Sequence, residues 1–99
     1  MEEKKELSIN IKPDVATGKY SNLAVITHSR TEFIFDFAAV LPGTPQAEVV
    51  SRVIMNPEHA KRLLLALQEN VGKYESQFGR ILIEGPQSGF PVSGNGNLS

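Results

Sequence analysis

Alternation of apolar and polar residues along the first 55 positions predicts four β-strands. Pro13-Asp14 should end the first strand, because proline has no N–H to donate to a neighbouring strand. The dipeptide Ser29-Arg30 predicts a tight turn, and the segment Leu41-Pro-Gly-Thr-Pro45 predicts a second turn. The predicted strands are residues 7–11, 20–28, 31–41 and 47–55.

The pattern changes to helical spacing after Met55. Asn56-Pro57-Glu58 combines a capping residue, a first-turn proline and an acid that complements the helix dipole. Gly79 predicts the end of the helix. Apolar residues spaced alternately by four and three form one stripe: Ala60, Leu64, Leu67, Val71, Tyr74 and Phe78, widened by Leu63.

These elements predict an α+β fold, in which a four-stranded antiparallel meander is followed by one long amphipathic helix packed on one sheet face. Residues 80–84 are expected to add a short strand. We expect a flexible N-terminus over residues 1–5, a single domain over residues 6–84 and a disordered tail over residues 85–99. The tail prediction follows from its Gly, Pro, Ser and Asn content.

The same pattern predicts the pairing of the strands. A two-residue turn at Ser29-Arg30 sets Ile26 opposite Phe33, and a turn around Thr44 sets Phe35 opposite Val53. This second pairing also sets Asp36 opposite Arg52, a structural ion pair. The inner face, which the helix should cover, would then consist of Ala24, Ile26, Phe33, Phe35, Phe37, Val49, Val53 and Met55.

The opposite, outer face of the sheet is more apolar than a solvated face normally is. It is therefore a candidate interface, and we expect a homo-oligomer, either a dimer or a tetramer. A ligand or polypeptide bound to this face, or terminal segments folded over it, are the alternatives. The candidate interface residues are Leu23, Val25, Ile34, Ala38, Val40, Val50 and Ile54.

The helical stripe permits two interpretations. Its spacing of four and three is that of a coiled-coil seam, which would let two helices pair. The same spacing suits a helix that lies on a sheet, and about two and a half heptads favour this second interpretation.

Composition narrows the classes of function. The chain has 99 residues, a net charge of −1 and no cysteine, which excludes disulfides, thiolate nucleophiles and cysteine-ligated metals. Because positive charges are interspersed with negative ones, nucleic-acid binding is disfavoured. No signal peptide and no membrane-spanning segment is evident, so a cytoplasmic location is expected.

No catalytic, cofactor-binding or metal-binding residue can be assigned from the sequence. His28 and His59 lack the spacing of a metal site, and Pro42-Gly43-Thr44-Pro45 lies between strands rather than before a helix, as a phosphate loop requires. The favoured hypothesis is a non-enzymatic, homo-oligomeric protein-interaction module. A more specific version of this hypothesis is a chaperone-like protein. The alternative is a ligand-binding protein or enzyme with a pocket between helix and sheet, near His59.

Several short motifs resemble a family of small prokaryotic proteins classed as a domain of unknown function. They lie within residues 7–80: Tyr20-Ser-Asn-Leu23, Phe35-Asp-Phe37, Leu41-Pro-Gly43, Ser51-Arg52-Val53-Ile54, Asn56-Pro-Glu-His-Ala-Lys-Arg-Leu63 and Lys73-Tyr-Glu75. The resemblance implies no activity. The order of four strands and a helix is also similar to that of the export chaperone SecB, a likeness of architecture that does not establish function.

Overall fold

The computed structural model describes residues 6–84 and confirms an α+β fold with an antiparallel sheet and a long C-terminal helix. The sheet has three strands in the order β1-β2-β3. The predicted flexible N-terminus, residues 1–5, and disordered tail, residues 85–99, lie outside the described residues. The elements are α1 (Pro13–Ala16), β1 (Leu23–His28), β2 (Phe33–Ala39), β3 (Glu48–Met55) and α2 (Pro57–Phe78).

The strand predicted at residues 7–11 is not part of the sheet. Leu7 and Ile9 are 84% and 87% exposed, and no strand of the described chain pairs with them. Pro13 does not simply end a strand, because it occupies the first turn of the short helix α1, where its missing N–H costs nothing. The alternating pattern is present without a neighbouring strand to pair with.

The hairpin between β1 and β2 differs from the predicted one by two residues. Ile26 lies opposite Phe35 rather than Phe33, which pairs with His28. A two-residue hairpin turn needs positive φ angles, and no non-glycine residue in the described chain has one. Instead, the Ser29 hydroxyl accepts hydrogen bonds from the N–H groups of Thr31 and Glu32 and supports a four-residue loop. Because the shift is an even number, every side chain keeps its predicted face.

The pairing of β2 with β3 follows the predicted register at Phe35–Val53 and Asp36–Arg52. Beyond Phe37 a bulge in β3 shifts the register by one residue, so that Ala38 lies opposite Val49. Val49, predicted for the inner face, therefore pairs with an outer-face residue. Val50, predicted for the outer face, instead lines a depression with Phe37 and Val53.

Helix α2 begins and ends as its sequence predicts. The Asn56 side chain accepts a hydrogen bond of 2.9 Å from the N–H of His59, and Pro57 occupies the first turn. Gly79 follows the last helical residue with φ +105°, a conformation that side chains oppose. The predicted strand at residues 80–84 is not formed. There the N–H of Ile81 donates to the Glu75 carboxylate, 2.9 Å away, so this backbone group bonds to the helix rather than to a neighbouring strand.

The buried core of the described chain is small. Its buried apolar residues are Phe35, Ala38 and Ala60, at 7%, 2% and 9% exposure. Contacts between elements are concentrated within the sheet, and Ala60 is the one buried residue of α2. The expectation that α2 covers the inner face is therefore met only near the start of the helix.

Candidate functional site

The apolar stripe of α2 is largely exposed to solvent. Beyond Ala60, every residue of the stripe remains accessible to solvent, and Leu67 and Phe78 are 57% and 67% exposed. Tyr74 and Phe78 contact each other with ring centroids 5.0 Å apart. The stripe is therefore regular in spacing but unburied along the whole of the helix past Ala60.

An apolar groove of about 370 Å³ lies between the N-terminal half of α2 and the inner face of the sheet. Phe33 and Phe35 of β2, whose ring centroids are 6.5 Å apart, form part of its floor. Lys61 supplies the one charged side chain among the residues that line it. The lining residues are Ile26, Phe33, Phe35, Pro57, Ala60, Lys61, Leu63, Leu64 and Leu67.

A second depression lies beside Phe37, where the short helix α1 and the loop after it approach the sheet. Its lining mixes polar residues such as Asp14, Thr17 and Lys19 with Phe37 and Val53. The inner face is thus flanked by α2 at one end and by the α1 segment at the other. Neither segment buries the phenylalanine row completely, since Phe35 is its one buried member.

The candidate interface predicted for the outer face is partly assembled by the register. Leu23 lies opposite Ala38, and Ile34 lies opposite Ile54. Leu23, Val25, Ile34 and Val40 are half-buried, whereas Ile54 is exposed. Because of the bulge, Val49 lies opposite Ala38 in the place predicted for Val50, which lines the depression beside Phe37.

Asp36 and Arg52 form a two-pronged ion pair on the outer face. The Arg52 Nε and Nη2 groups donate to the two Asp36 carboxylate oxygens over 2.6 and 2.9 Å. These hydrogen bonds hold the pKa of the Asp36 carboxyl below its ordinary value and raise the pKa of Arg52. Arg52 itself is largely exposed. The pair fixes two strands relative to each other, and it lies among apolar neighbours rather than in a cleft.

The two histidines lie on different elements of the described chain, His28 at the end of β1 and His59 in the first turn of α2. His28 stacks on Phe33, with ring centroids 5.3 Å apart. His59 is exposed in the first turn of α2 and does not line the apolar groove. Within residues 6–84, no cluster of three or more His, Cys, Asp or Glu side chains could hold a metal ion.

Ser21 and Asn22, which the sequence singles out only as part of the motif Tyr20-Ser-Asn-Leu23, organise the start of β1. The Asn22 side chain donates to the carbonyl of Val40 and accepts from its N–H, over 3.1 and 2.8 Å. It thereby replaces a backbone partner at the end of the β1–β2 ladder. The Ser21 hydroxyl donates to the carbonyl of Ala38 over 2.9 Å. In the sequence, the only indication of this role is that two polar residues, Ser21 and Asn22, stand directly before an apolar strand.

None of the helices in residues 6–84 combines the length and the hydropathy that crossing a bilayer would require.

Residues 1–83 match the model of a family described as "Protein of unknown function (DUF3467)". The chain belongs to this family, and the resemblance found in its motifs is confirmed. No curated protein and no solved structure matches the chain.

Proposed function

We propose that this DUF3467 protein is a non-enzymatic interaction module that acts as a homo-oligomer. The observation that carries the proposal is the solvent-exposed apolar stripe of α2. Burial of a Leu, Val or Phe side chain contributes roughly 1.5–3 kcal/mol, and large contiguous apolar patches on a protein surface mark contact sites. A second surface that covers the stripe would supply the burial that residues 6–84 do not provide.

The size of the core supports the same conclusion. Only Phe35, Ala38 and Ala60 are buried apolar residues within positions 6–84. Because most apolar side chains in this range stay at least partly exposed, little hydrophobic burial is available to offset the conformational entropy that folding costs. Association with a further copy would extend the core across the subunit boundary, as obligate interfaces do.

A matched pair of leucines on α2 tests the proposal. Leu67 lies in the stripe, whereas Leu65 lies about 200° away around the helix, and their exposures are 57% and 53%. Leu67→Glu should convert the oligomer to a monomer in sedimentation velocity, because a carboxylate cannot be buried in an apolar contact. Leu65→Glu should leave the mass unchanged. Equal loss of association in both variants, or in neither, would contradict a role for the stripe.

The outer face supports a second contact in the same module. Its central residues Val25 and Ile34 flank the Asp36–Arg52 pair in the register. A tetramer would use this face in addition to the stripe, so Val25→Asp with Ile34→Asp should reduce a tetramer to a dimer. If the wild type is a dimer and the double variant remains one, the outer face is not an interface.

A chaperone-like activity is the narrower form of this proposal. The exposed apolar stripe would then hold an unfolded polypeptide instead of, or in exchange with, another copy. The wild type should slow the light scattering of a heat-denatured test protein at equimolar ratio, and Leu67→Glu should lose this effect. Suppression by neither protein would remove the chaperone-like form and leave the oligomer.

The apolar groove favours one alternative, the binding of a small apolar ligand between α2 and the sheet. Its volume of about 370 Å³ lies within the range of ligand sites. A ligand that binds the folded state raises the melting temperature. Thermal shifts with fatty acids and aromatic compounds, lost in Ala60→Trp, would support this alternative, and the absence of any shift would count against it.

A further inference from the structure

We propose that the occupant of the apolar groove is the C-terminal half of α2 from a second copy, with the two α2 helices antiparallel. This inference rests on the proposed function and specifies the partner and the geometry of the stripe. Its starting point is an asymmetry within one helix. The N-terminal half of the stripe borders the groove, whereas Val71, Tyr74 and Phe78 extend past it and remain exposed.

Antiparallel pairing joins these unequal halves. In a parallel pair the N-terminal halves of the two α2 helices would meet at one end, where each helix already borders a groove and its own sheet. The C-terminal halves, with their aromatic residues, would meet at the other end. In an antiparallel pair each exposed half reaches the groove of the other copy, and a two-fold axis makes both contacts identical. The helix dipoles are also opposed in this arrangement, which is the favourable orientation.

The spacing of the stripe gives one register in which every layer is apolar. Alternating steps of four and three residues are those of a knobs-into-holes seam. In this register Leu67 of one copy lies level with Val71 of the other copy. Ala60, the smallest residue of the stripe, then lies level with the aromatic residue Phe78. The layers are Ala60 with Phe78, Leu64 with Tyr74 and Leu67 with Val71, each occurring twice. The Tyr74 and Phe78 rings, already in contact, would then enter the groove beside Ala60.

The charges next to the stripe complement each other in this register. Lys61 follows Ala60 and Glu75 follows Tyr74, so each lysine would lie beside the glutamate of the other copy. Lys61 lines the groove and forms no ion pair with another residue in positions 6–84. One Glu75 oxygen accepts from the N–H of Ile81, which leaves the other for the lysine.

Cysteine cross-linking tests the geometry, since the chain has no native cysteine. Leu64 and Tyr74 are ten residues, or about 15 Å, apart along their own helix, too far for a disulfide within one chain. After mild oxidation, a mixture of Leu64→Cys and Tyr74→Cys proteins should form a covalent dimer. Neither variant should do so alone, and a mixture of Leu64→Cys with Glu69→Cys, on the other side of the helix, should not either.

The outcomes separate the pairing from the proposed function. Cross-linking of Leu64→Cys with itself would show a parallel pair and overturn the inference. A wild type that is oligomeric by light scattering, with no cross-link in the mixture of cysteine variants, would overturn the pairing and leave the interaction module intact. A wild type that is monomeric throughout would remove both.

Charge exchange gives a second test that leaves the apolar layers unchanged. Lys61→Glu alone and Glu75→Lys alone should each weaken dimerisation by roughly two- to thirty-fold, the range for two exposed ion pairs. The combination of both substitutions in one chain should restore it, with circular dichroism confirming equal helix content. Additive weakening in the double variant would contradict the register.

Discussion

The sheet and helix α2 carry equally regular apolar patterns, but only the sheet buries the centre of its pattern within the chain. Phe35 lies between β1 and β3, stacks on the flanking Phe33 and Phe37, and is buried. Phe78, at the end of an uninterrupted helical stripe, is two-thirds exposed. The difference is one of neighbours, because strand pairing supplies adjacent side chains on both sides, whereas the far half of α2 extends past the sheet.

This comparison teaches that an apolar periodicity specifies a face that requires covering, without specifying the molecule that covers it. The inner face of the sheet and the first turns of α2 cover each other incompletely, and the apolar groove remains between them. Helices derive most of their stability from the packing of an apolar face. We therefore propose that a stripe of this length contacts a second copy of the chain.

The largest expected effect comes from removing a ring in the sheet. Phe35→Ala should lower the free energy of unfolding by about 3–5 kcal/mol, the usual cost of a buried Phe-to-Ala change, measured by urea denaturation with circular dichroism. Phe78→Ala is the matched change on the helix. When folding is coupled to association, the midpoint of unfolding rises with protein concentration. Phe78→Ala should mainly reduce this dependence on concentration. If Phe35→Ala and Phe78→Ala lower the free energy of unfolding equally at every protein concentration, both rings are buried within one chain.

A smaller effect of opposite sign is expected from Gly72→Ala. A Cβ built at Gly72 meets no atom of residues 6–84 within 4 Å, so no residue of this range supplies the close packing that could explain a glycine inside the helix. The substitution should raise the free energy of unfolding by about 0.5–1 kcal/mol through helix propensity. Gly79→Ala is the control and should destabilise, because Gly79 has φ +105°. Loss of association in Gly72→Ala would place Gly72 in a subunit contact.

The smallest effect concerns the ion pair on the outer face. Hydrogen bonds from Arg52 lower the folded-state pKa of Asp36 from its ordinary value of 3.8. Its stabilising contribution is therefore present above pH 3.8 and is lost as the pH falls below that value through the folded-state pKa. The difference in melting temperature between wild type and Asp36→Asn should be constant near neutral pH and shrink in acid. Arg52→Gln should reproduce this profile, and a difference that grows in acid would contradict the assignment.

Much of the fold could be predicted from local chemistry. Asn56, Pro57 and Gly79 determine the ends of α2 through capping, which depends on a few adjacent residues. The Phe35–Val53 and Asp36–Arg52 pairings follow from matched side chains on facing strands. The two-residue shift at the β1–β2 hairpin was not predicted, because such a shift leaves every side chain on the same face of the sheet. The hydrogen bonds to the Ser29 hydroxyl that favour the longer loop cannot be read from the pattern of apolar residues.

The remaining errors concern segments for which residues 6–84 supply no partner. Residues 7–11 have the alternation of a strand but no adjacent strand in the described chain, and alternation alone does not create one. The bulge in β3 at Val49 and Val50 could not be predicted, because two consecutive valines give no indication of where the alternation of faces is interrupted. The stripe of α2 was assigned to the sheet because it is short for a coiled coil, whereas the structure leaves its C-terminal half exposed.

The most direct test of the central claim is the solution mass of the full chain, measured by multi-angle light scattering over a wide range of concentrations. One chain has a mass of 10.8 kDa. A homo-oligomer held by the stripe of α2 should have a mass of at least two chains that falls toward one only on strong dilution. A mass of one chain at every concentration, with folded circular dichroism, would contradict the account, because the stripe of α2 would then be stable in water without a second copy.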